Sequence, residues 1–254
     1  MSGARTVLVT GAARRLGAIV ARHLAQPEAG PGWRVAIHHH HSAGEAEAVA
    51  RALPGAIVLT GDLADPATPD ALVTEARGAF GMPLIAVVNS ASLFDYDTPP
   101  QVTAAALERH ARVNLDAPVL LACALARQDD LDGGAVVNVL DQKVANLNPD
   151  FFAYSCAKIA LTGATTMLAQ ALGPRIRVNA VSPGLTLPSA DQTEAEFAAV
   201  ASRNVLRRPV DPLDIARAVA FLLDARGIAG QNLFVDCGQH FLPLPRDVMF
   251  ESRV

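Results

Sequence analysis

The chain has 254 residues, 51% of them apolar, and a net charge of −4. That length suits one large α/β domain, and the apolar content is enough to build a sizeable core. Without a basic excess there is no electrostatic case for a nucleic-acid or anionic-membrane partner, so any phosphate must be held by local geometry.

The first strand-like run, 6–10, leads into Thr10-Gly11-Ala12-Ala13-Arg14-Arg15-Leu16-Gly17 and a helix predicted over 16–25. A strand, a tight glycine turn and a helix N-terminus form a cradle for pyrophosphate, because free amides and the helix dipole converge there. Gly11, Arg15 and Leu16 are the candidate contacts. Arg15 stands where many such loops carry a third glycine, and adds a charge within reach of a phosphate. The second run, 33–38, opens on His38-His39-His40-His41-Ser42 before a helix over 43–52. An acidic residue at this turn would grip the ribose 2′-hydroxyl of NAD. None is present, and His40, His41 and Ser42 are donors suited to a 2′-phosphate, which favours NADP(H); a solvated polar turn is the alternative. Consecutive histidines point in divergent directions, so no metal site is expected there.

A third run, 56–60, precedes Asp62-Leu63, placed to meet an adenine amino group, and a helix over 69–80. The fourth, 84–89, ends in Asn89-Ser90-Ala91, candidate lining of the cofactor cleft. A helix is predicted over 103–126, a strand over 135–140, a helix over 152–172 and a strand over 176–181. A last helix over 212–224 and a strand over 232–235 complete the pattern. Alternation at this spacing argues for right-handed βαβ units and a parallel sheet covered on both faces. The polar, interrupted segment 185–206 reads as a lid over a site at the sheet's C-terminal edge, or else as a plain surface connection.

The chain holds only two tyrosines and two lysines, yet Tyr154 and Lys158 stand one helical turn apart. Side chains at that spacing share a helix face. A phenol held acidic by a neighbouring ammonium is a good proton donor for a reduction. Cys123, Cys156 and Cys237 are odd in number and widely spaced, which suggests neither a disulfide framework nor a zinc site. The first apolar run is too short for a signal peptide and none is long enough to span a bilayer, so a cytoplasmic protein is expected.

In chain order, the loop 10–17, Asp62, Asn89-Ser90-Ala91, Asn114, the Tyr154/Lys158 pair and Arg177-Val178-Asn179-Ala180-Val181-Ser182-Pro183-Gly184 resemble the short-chain dehydrogenase/reductase family across essentially the whole chain. The resemblance implies a single Rossmann-type domain over 1–254, with a doubly wound, seven-stranded parallel sheet and helices on both faces. It also implies a nicotinamide cofactor, which the turn after the second run makes NADPH, with Pro183 and Gly184 beside it, and a homotetramer. By the same likeness Tyr154 is the proton donor, Lys158 holds the nicotinamide ribose and depresses the phenol's pKa, and Asn114 keeps a water-filled proton path.

One departure is informative. The family normally places a Ser about a dozen residues before the Tyr, to hold a substrate carbonyl; here Asp141 stands thirteen residues before Tyr154. A carboxylate repels a carbonyl oxygen but can bond a phenol and feed protons toward a ring nitrogen. This Asp is similar to that of the pteridine reductase branch, as are the loop 10–17 and the turn His38, His40, Ser42, Ala43. Ser90-Ala91-Ser92-Leu93-Phe94 resembles the branch's segment after the fourth strand. The likeness implies that Phe94 stacks on a pterin, that Ser92 and Arg15 bind its polar edge with the cofactor phosphate, and that Asp141 and Tyr154 meet its reacting side. The expected activity is NADPH-dependent reduction of a dihydropterin or dihydrofolate. The alternatives are a carbonyl or 3-oxoacyl reductase, and a non-catalytic NADP(H)-sensing protein. Other departures are His41 in place of a frequent Arg, Ser90 in place of the second Asn of the usual pair, and Asp236-Cys237-Gly238 in place of Asp-Gly-Gly. Residues 187–196 match nothing that names the substrate's side chain.

Overall fold

Seven short β-branched runs form seven strands: β1 (Arg5–Val9), β2 (Trp33–His39), β3 (Ile57–Thr60), β4 (Ala86–Asn89), β5 (Gly134–Val139), β6 (Ile176–Pro183) and β7 (Asn232–Val235). They pair in parallel in the order β3-β2-β1-β4-β5-β6-β7, in a computed structural model that describes residues 5–26, 32–189 and 192–253. Register places Val9 against Ile37 on one side and Val88 on the other. Between β1 and β4 the strand order reverses direction, which opens a crevice at the strands' C-terminal ends.

The helices are α1 (Arg15–Ala25), α2 (Ala43–Arg51), α3 (Thr68–Phe80), α4 (Ala104–Ala111), α5 (Ala117–Ala126), α6 (Phe152–Leu172), α7 (Glu194–Val200) and α8 (Pro212–Asp224). Strand side chains alternate between two cores. Val7, Val9, Val35, Ile37, Val88 and Val137 pack with α1 and α8, whereas Leu8, Ala36, Val87 and Val136 pack with α3 and α5. Apolar residues are needed on both faces, which is why these strands lack a polar side in the sequence. Local chemistry fixes the helix ends. Asp211 caps α8 by accepting from the Leu213 amide, with Pro212 as first helical residue, and Gly81 closes α3 in the left-handed region (φ +67°).

The helix expected over 103–126 is in fact α4 and α5 joined by a π turn, Arg112–Asp116, in which the Ala117 amide reaches back five residues to the Arg112 carbonyl. Pro118 has no N–H to donate to the carbonyl four residues back, that of Asn114, which favours the local change of winding. The segment 185–206 is not all irregular: it contains α7, closed by a Thr193/Glu196 capping box. The three cysteines are free, and among the described residues no helix is long and apolar enough to cross a membrane.

Candidate active site

Every site residue expected from sequence, apart from Asn89 and Asn114, lines one cleft of about 870 Å³ along the C-terminal ends of the strands. At one end the backbone makes the cradle. Gly11 sits at φ +64°, and a Cβ there would lie 2.8 Å from the Ala91 Cα, so only glycine lets the loop approach β4 so closely. Thr10 Oγ1 accepts from the amides of Ser90 and Ala91, both at 3.0 Å, which latches the two strand ends together. Arg15, where a third glycine is common, itself adopts φ +51°. A charged side chain is therefore carried in the left-handed region that glycine favours, in a conformation that costs about 1 kcal/mol for a residue with a Cβ. Cys237, in place of another family glycine, does the same at φ +54°.

The histidine run divides in two. His38 is buried; its Nδ1 accepts from the Gly11 amide (3.2 Å) and its Nε2 therefore donates to the Gly61 carbonyl (3.1 Å). Burial pushes its pKa down to about 4, against the Gly61 carbonyl and with help from the charges of His39 and His40. His39 is also buried, with Nε2 against the Thr60 hydroxyl at 2.9 Å. His40 and His41 instead stack on each other at 3.5 Å between ring centroids on the cleft wall, with Asp62 3.8 Å from His40 Nδ1. Among the described residues no cluster of His, Cys, Asp and Glu is arranged to hold a metal.

At the other end, Asp141 ends the loop after β5 and caps a 3-10 turn, Gln142–Val144, accepting from the Lys143 amide at 2.9 Å through Oδ1. Its Oδ2 accepts a 2.8 Å hydrogen bond from the Tyr154 hydroxyl. Although Asp141 is open to the cleft on one side, burial pushes its carboxyl pKa up, and Asp247 adds to this. The Lys143 amide and charge and the Tyr154 hydroxyl pull it back. Tyr154 is raised well above 10, first by burial and then by the Asp141 charge and hydrogen bond.

This corrects the expectation of an acidic phenol held down by Lys158. The Lys158 ammonium donates instead to the Val139 carbonyl at 2.7 Å, lies 5.7 Å from the Tyr154 ring centroid, and is itself pushed down to about 8 by burial. With a carboxylate directly on its oxygen, the phenol holds its proton tightly.

Two expected cleft residues lie behind it. Asn89 is buried and donates to Asn138 Oδ1 at 2.8 Å, bracing β4 against β5 rather than lining the cofactor cleft. A family asparagine at a strand end reads the same from sequence whichever way its amide turns. Asn114, fully buried in the π turn, accepts from the Ser92 hydroxyl and the Leu93 amide, both at 3.0 Å, and donates to the Leu93 carbonyl at 2.9 Å. Its side chain thus clamps the loop that carries Phe94. Phe94 stacks on Phe151 at 4.0 Å and meets Tyr154 edge-on at 4.7 Å, yet remains 39% exposed to the cleft.

The C-terminal contribution was missed by the sequence reading. Asp247, Val248 and Met249 line the cleft. Arg246 binds Asp150 at 2.7 Å, and Asp247 pairs with the buried Lys143 at 2.9 Å. Lys143 is the chain's other lysine; its scarcity was the one available signal.

The chain matches, over residues 11–240, the profile of a family described as enoyl-(acyl carrier protein) reductase. It belongs to the short-chain dehydrogenase/reductase family. Among solved structures it is similar to alternative dihydrofolate reductase 1 (FolM) of Brucella suis in complex with NADP, at 40% identity over 96% of this chain and 98% of that one, with a TM-score of 0.89. Among curated relatives it is similar to NADPH-dependent aldehyde reductase 2 of Arabidopsis thaliana, at 30% identity over 92% of this chain and 93% of the other. It is also similar to dihydromonapterin reductase of Klebsiella pneumoniae subsp. pneumoniae, at 25% identity over 92% of this chain and 96% of the relative.

Proposed function

We propose that this oxidoreductase uses NADPH to reduce the C=N bond of a dihydropterin-type ring. The carrying observation is the Asp141 carboxylate bonded to the Tyr154 hydroxyl at 2.8 Å, where a carbonyl reductase would present a neutral serine. A carboxylate there repels a developing alkoxide but accepts and returns protons to a ring nitrogen. The likeness to an NADP-bound alternative dihydrofolate reductase and to a dihydromonapterin reductase supports the same reading.

The chain's own groups suit the cofactor. The Gly11 turn would fill with a Cβ, Arg15 lies on the cleft wall, and His40, His41 and Ser42 close the end of β2. NADPH supplies a hydride. Arg15, His40, His41 and Ser42 would hold its phosphates, Asp62 and Leu63 its adenine, and Lys158 its nicotinamide ribose, with Ser90, Ala91, Pro183 and Gly184 alongside. Phe94 offers its exposed face to a flat ring, and Ser92 presents oxygen lone pairs while its proton is engaged by Asn114. Asp141, its pKa raised by burial, accepts from the Tyr154 hydroxyl, and the pair would pass a proton to the substrate. Leu185, Thr186, Leu187, Ser189 and Gln192 line the cleft as well.

The test offers dihydrobiopterin, dihydrofolate and an acetoacetyl thioester side by side, following NADPH absorbance. Turnover of a dihydropterin or of dihydrofolate without turnover of the thioester is expected. Turnover of the thioester alone would assign the chain to the carbonyl reductases, toward which the similarity to an aldehyde reductase leans. Asp141→Ser sharpens this: pterin turnover should fall, and carbonyl reduction that is equally good before and after would remove the main support.

A further inference from the structure

The C-terminal segment is tied to the turn that carries Asp141 by a closed circuit of hydrogen bonds. Only 4% of the Lys143 side chain and 12% of the Asp247 side chain are exposed. The Lys143 ammonium donates to Asp247 Oδ2 at 2.9 Å and to Asn148 Oδ1 at 2.8 Å. Asn148 Oδ1 also accepts from the Asp150 amide at 3.2 Å, and Asp150 Oδ2 accepts from the Asp247 amide at 2.8 Å, which closes the circuit. Arg246 grips the same Asp150 oxygen at 2.7 Å from the outside. The circuit reaches the reacting groups at one point, where the Lys143 amide donates to Asp141 Oδ1 at 2.9 Å.

A merely structural role does not require charges here. Taking two ions out of water costs about as much as their attraction recovers, so apolar residues of the same volume often hold a segment as well or better. What an ion pair adds is a field. The titratable groups set against Asp141 are Tyr154 and Lys158 on α6, Lys143 on its own turn and Asp247 on the C-terminal segment. Tyr154 keeps its proton, and Lys158 is turned to the Val139 carbonyl. The Lys143 charge favours the ionised form of Asp141, and the Asp247 charge favours the protonated form. A carboxyl that must release and regain a proton in each turnover is thus set between two opposing charges.

Resting on the reading of Asp141 and Tyr154 as the proton-transferring pair, we propose that Lys143 and Asp247 are positioning residues for that transfer. Docking of the C-terminal segment brings the Asp247 carboxylate onto Lys143, and the joined pair balances the charge that Asp141 meets. The segment therefore completes the reacting end of the cleft as well as its wall.

The experiment follows Asp141 in the full chain with NADP bound, through the infrared carbonyl band of a protonated carboxyl that is lost in Asp141→Asn. It needs no substrate. Asp247→Asn keeps the shape and removes a negative charge, so the midpoint of that band should fall by about one pH unit. Lys143→Gln removes the positive charge, so the midpoint should rise by about as much. The double variant, Lys143→Gln with Asp247→Asn, should lie between the two. One pH unit is a tenfold change in protonation, so kcat for dihydrobiopterin should fall about tenfold in each single variant, with the NADPH dissociation constant within about twofold. A pair that only holds the segment in place would lower stability in both variants without opposite movements of the midpoint. An unmoved midpoint, or one that moves the same way in both, overturns the proposal, as does the absence of a titrating Asp141 band between about pH 4 and 9. Opposite movements with kcat unchanged would instead overturn the proton-transfer reading on which the proposal rests.

Discussion

The two ends of the cleft are built on different principles. At the cradle, the main chain does the shaping and most polar groups are paired: Gly11 against Ala91, Thr10 on the amides of Ser90 and Ala91, His38 between Gly11 and Gly61. At the Tyr154 end, ionisable side chains from distant segments are pressed together. They come from the β5 loop, the Gln142–Val144 turn, α6 and the C-terminal segment, and several polar atoms are left over. A cradle that serves one invariant cofactor can be finished before binding. A site that must shift protons and recognise a substrate keeps groups of shifted pKa and unspent hydrogen-bonding capacity.

The strongest way to separate the ends is Tyr154→Phe. It removes the hydroxyl bonded to Asp141, so turnover should fall by about 10³-fold, within the usual range for a lost proton donor. NADPH affinity, read by fluorescence titration, should stay within about twofold. Loss of both together would mean that the ends are not independent.

The same contrast explains what was legible beforehand. The strands and the cradle are written in local signals: β-branched runs, glycine turns and the Thr10-Gly11 step demand particular residues at particular spacings. Tyr154, Lys158 and Asp141 were legible through spacing along one helix and one strand end. Their electrostatics were not. That Lys158 turns to the Val139 carbonyl while Asp141 takes the phenol depends on how β5 packs against α6. Asp247 stands 104 residues beyond Lys143, and no local pattern ties the two. Arg15 and Cys237 looked like lost glycines, although the chain keeps the left-handed turn at both.

His38 gives the next largest effect. Its pKa is about 4 in the fold against 6.5 when unfolded, so the unfolded chain binds the extra proton first as pH falls. Stability from this group is complete above about pH 6.5 and is lost progressively as pH falls from there to about 4, by roughly 3 kcal/mol in all. His38→Gln keeps an acceptor for Gly11 and a donor for Gly61 without a titrating group. Urea midpoints measured across that interval should therefore flatten for the variant; an equally steep fall in both proteins would assign the acid sensitivity elsewhere.

Gly11→Ala attacks the cradle directly. Its Cβ would lie 2.8 Å from the Ala91 Cα at φ +64°, so the loop must shift away from β4. A stability loss of about 1–3 kcal/mol is expected, with weakened NADPH binding, by thermal melting and titration. Unchanged NADPH affinity would show that the close approach of loop and strand is dispensable.

The smallest effects make the finest comparison, because Arg15 and Cys237 share one kind of backbone strain but differ in place. Arg15 lines the cleft at φ +51°; Cys237, at φ +54°, lies outside its lining. Glycine at either position relieves left-handed strain, partly offset by the freer unfolded chain, for a net gain of about 0.5–1 kcal/mol. Cys237→Gly should raise the melting temperature and leave NADPH affinity alone. Arg15→Gly should raise it similarly but weaken NADPH about tenfold, through loss of a charge-assisted contact to phosphate. If the two variants proved equal in affinity, the arginine would be strain without return. A difference would show that the cradle gives up stability at this one position in order to hold an anion.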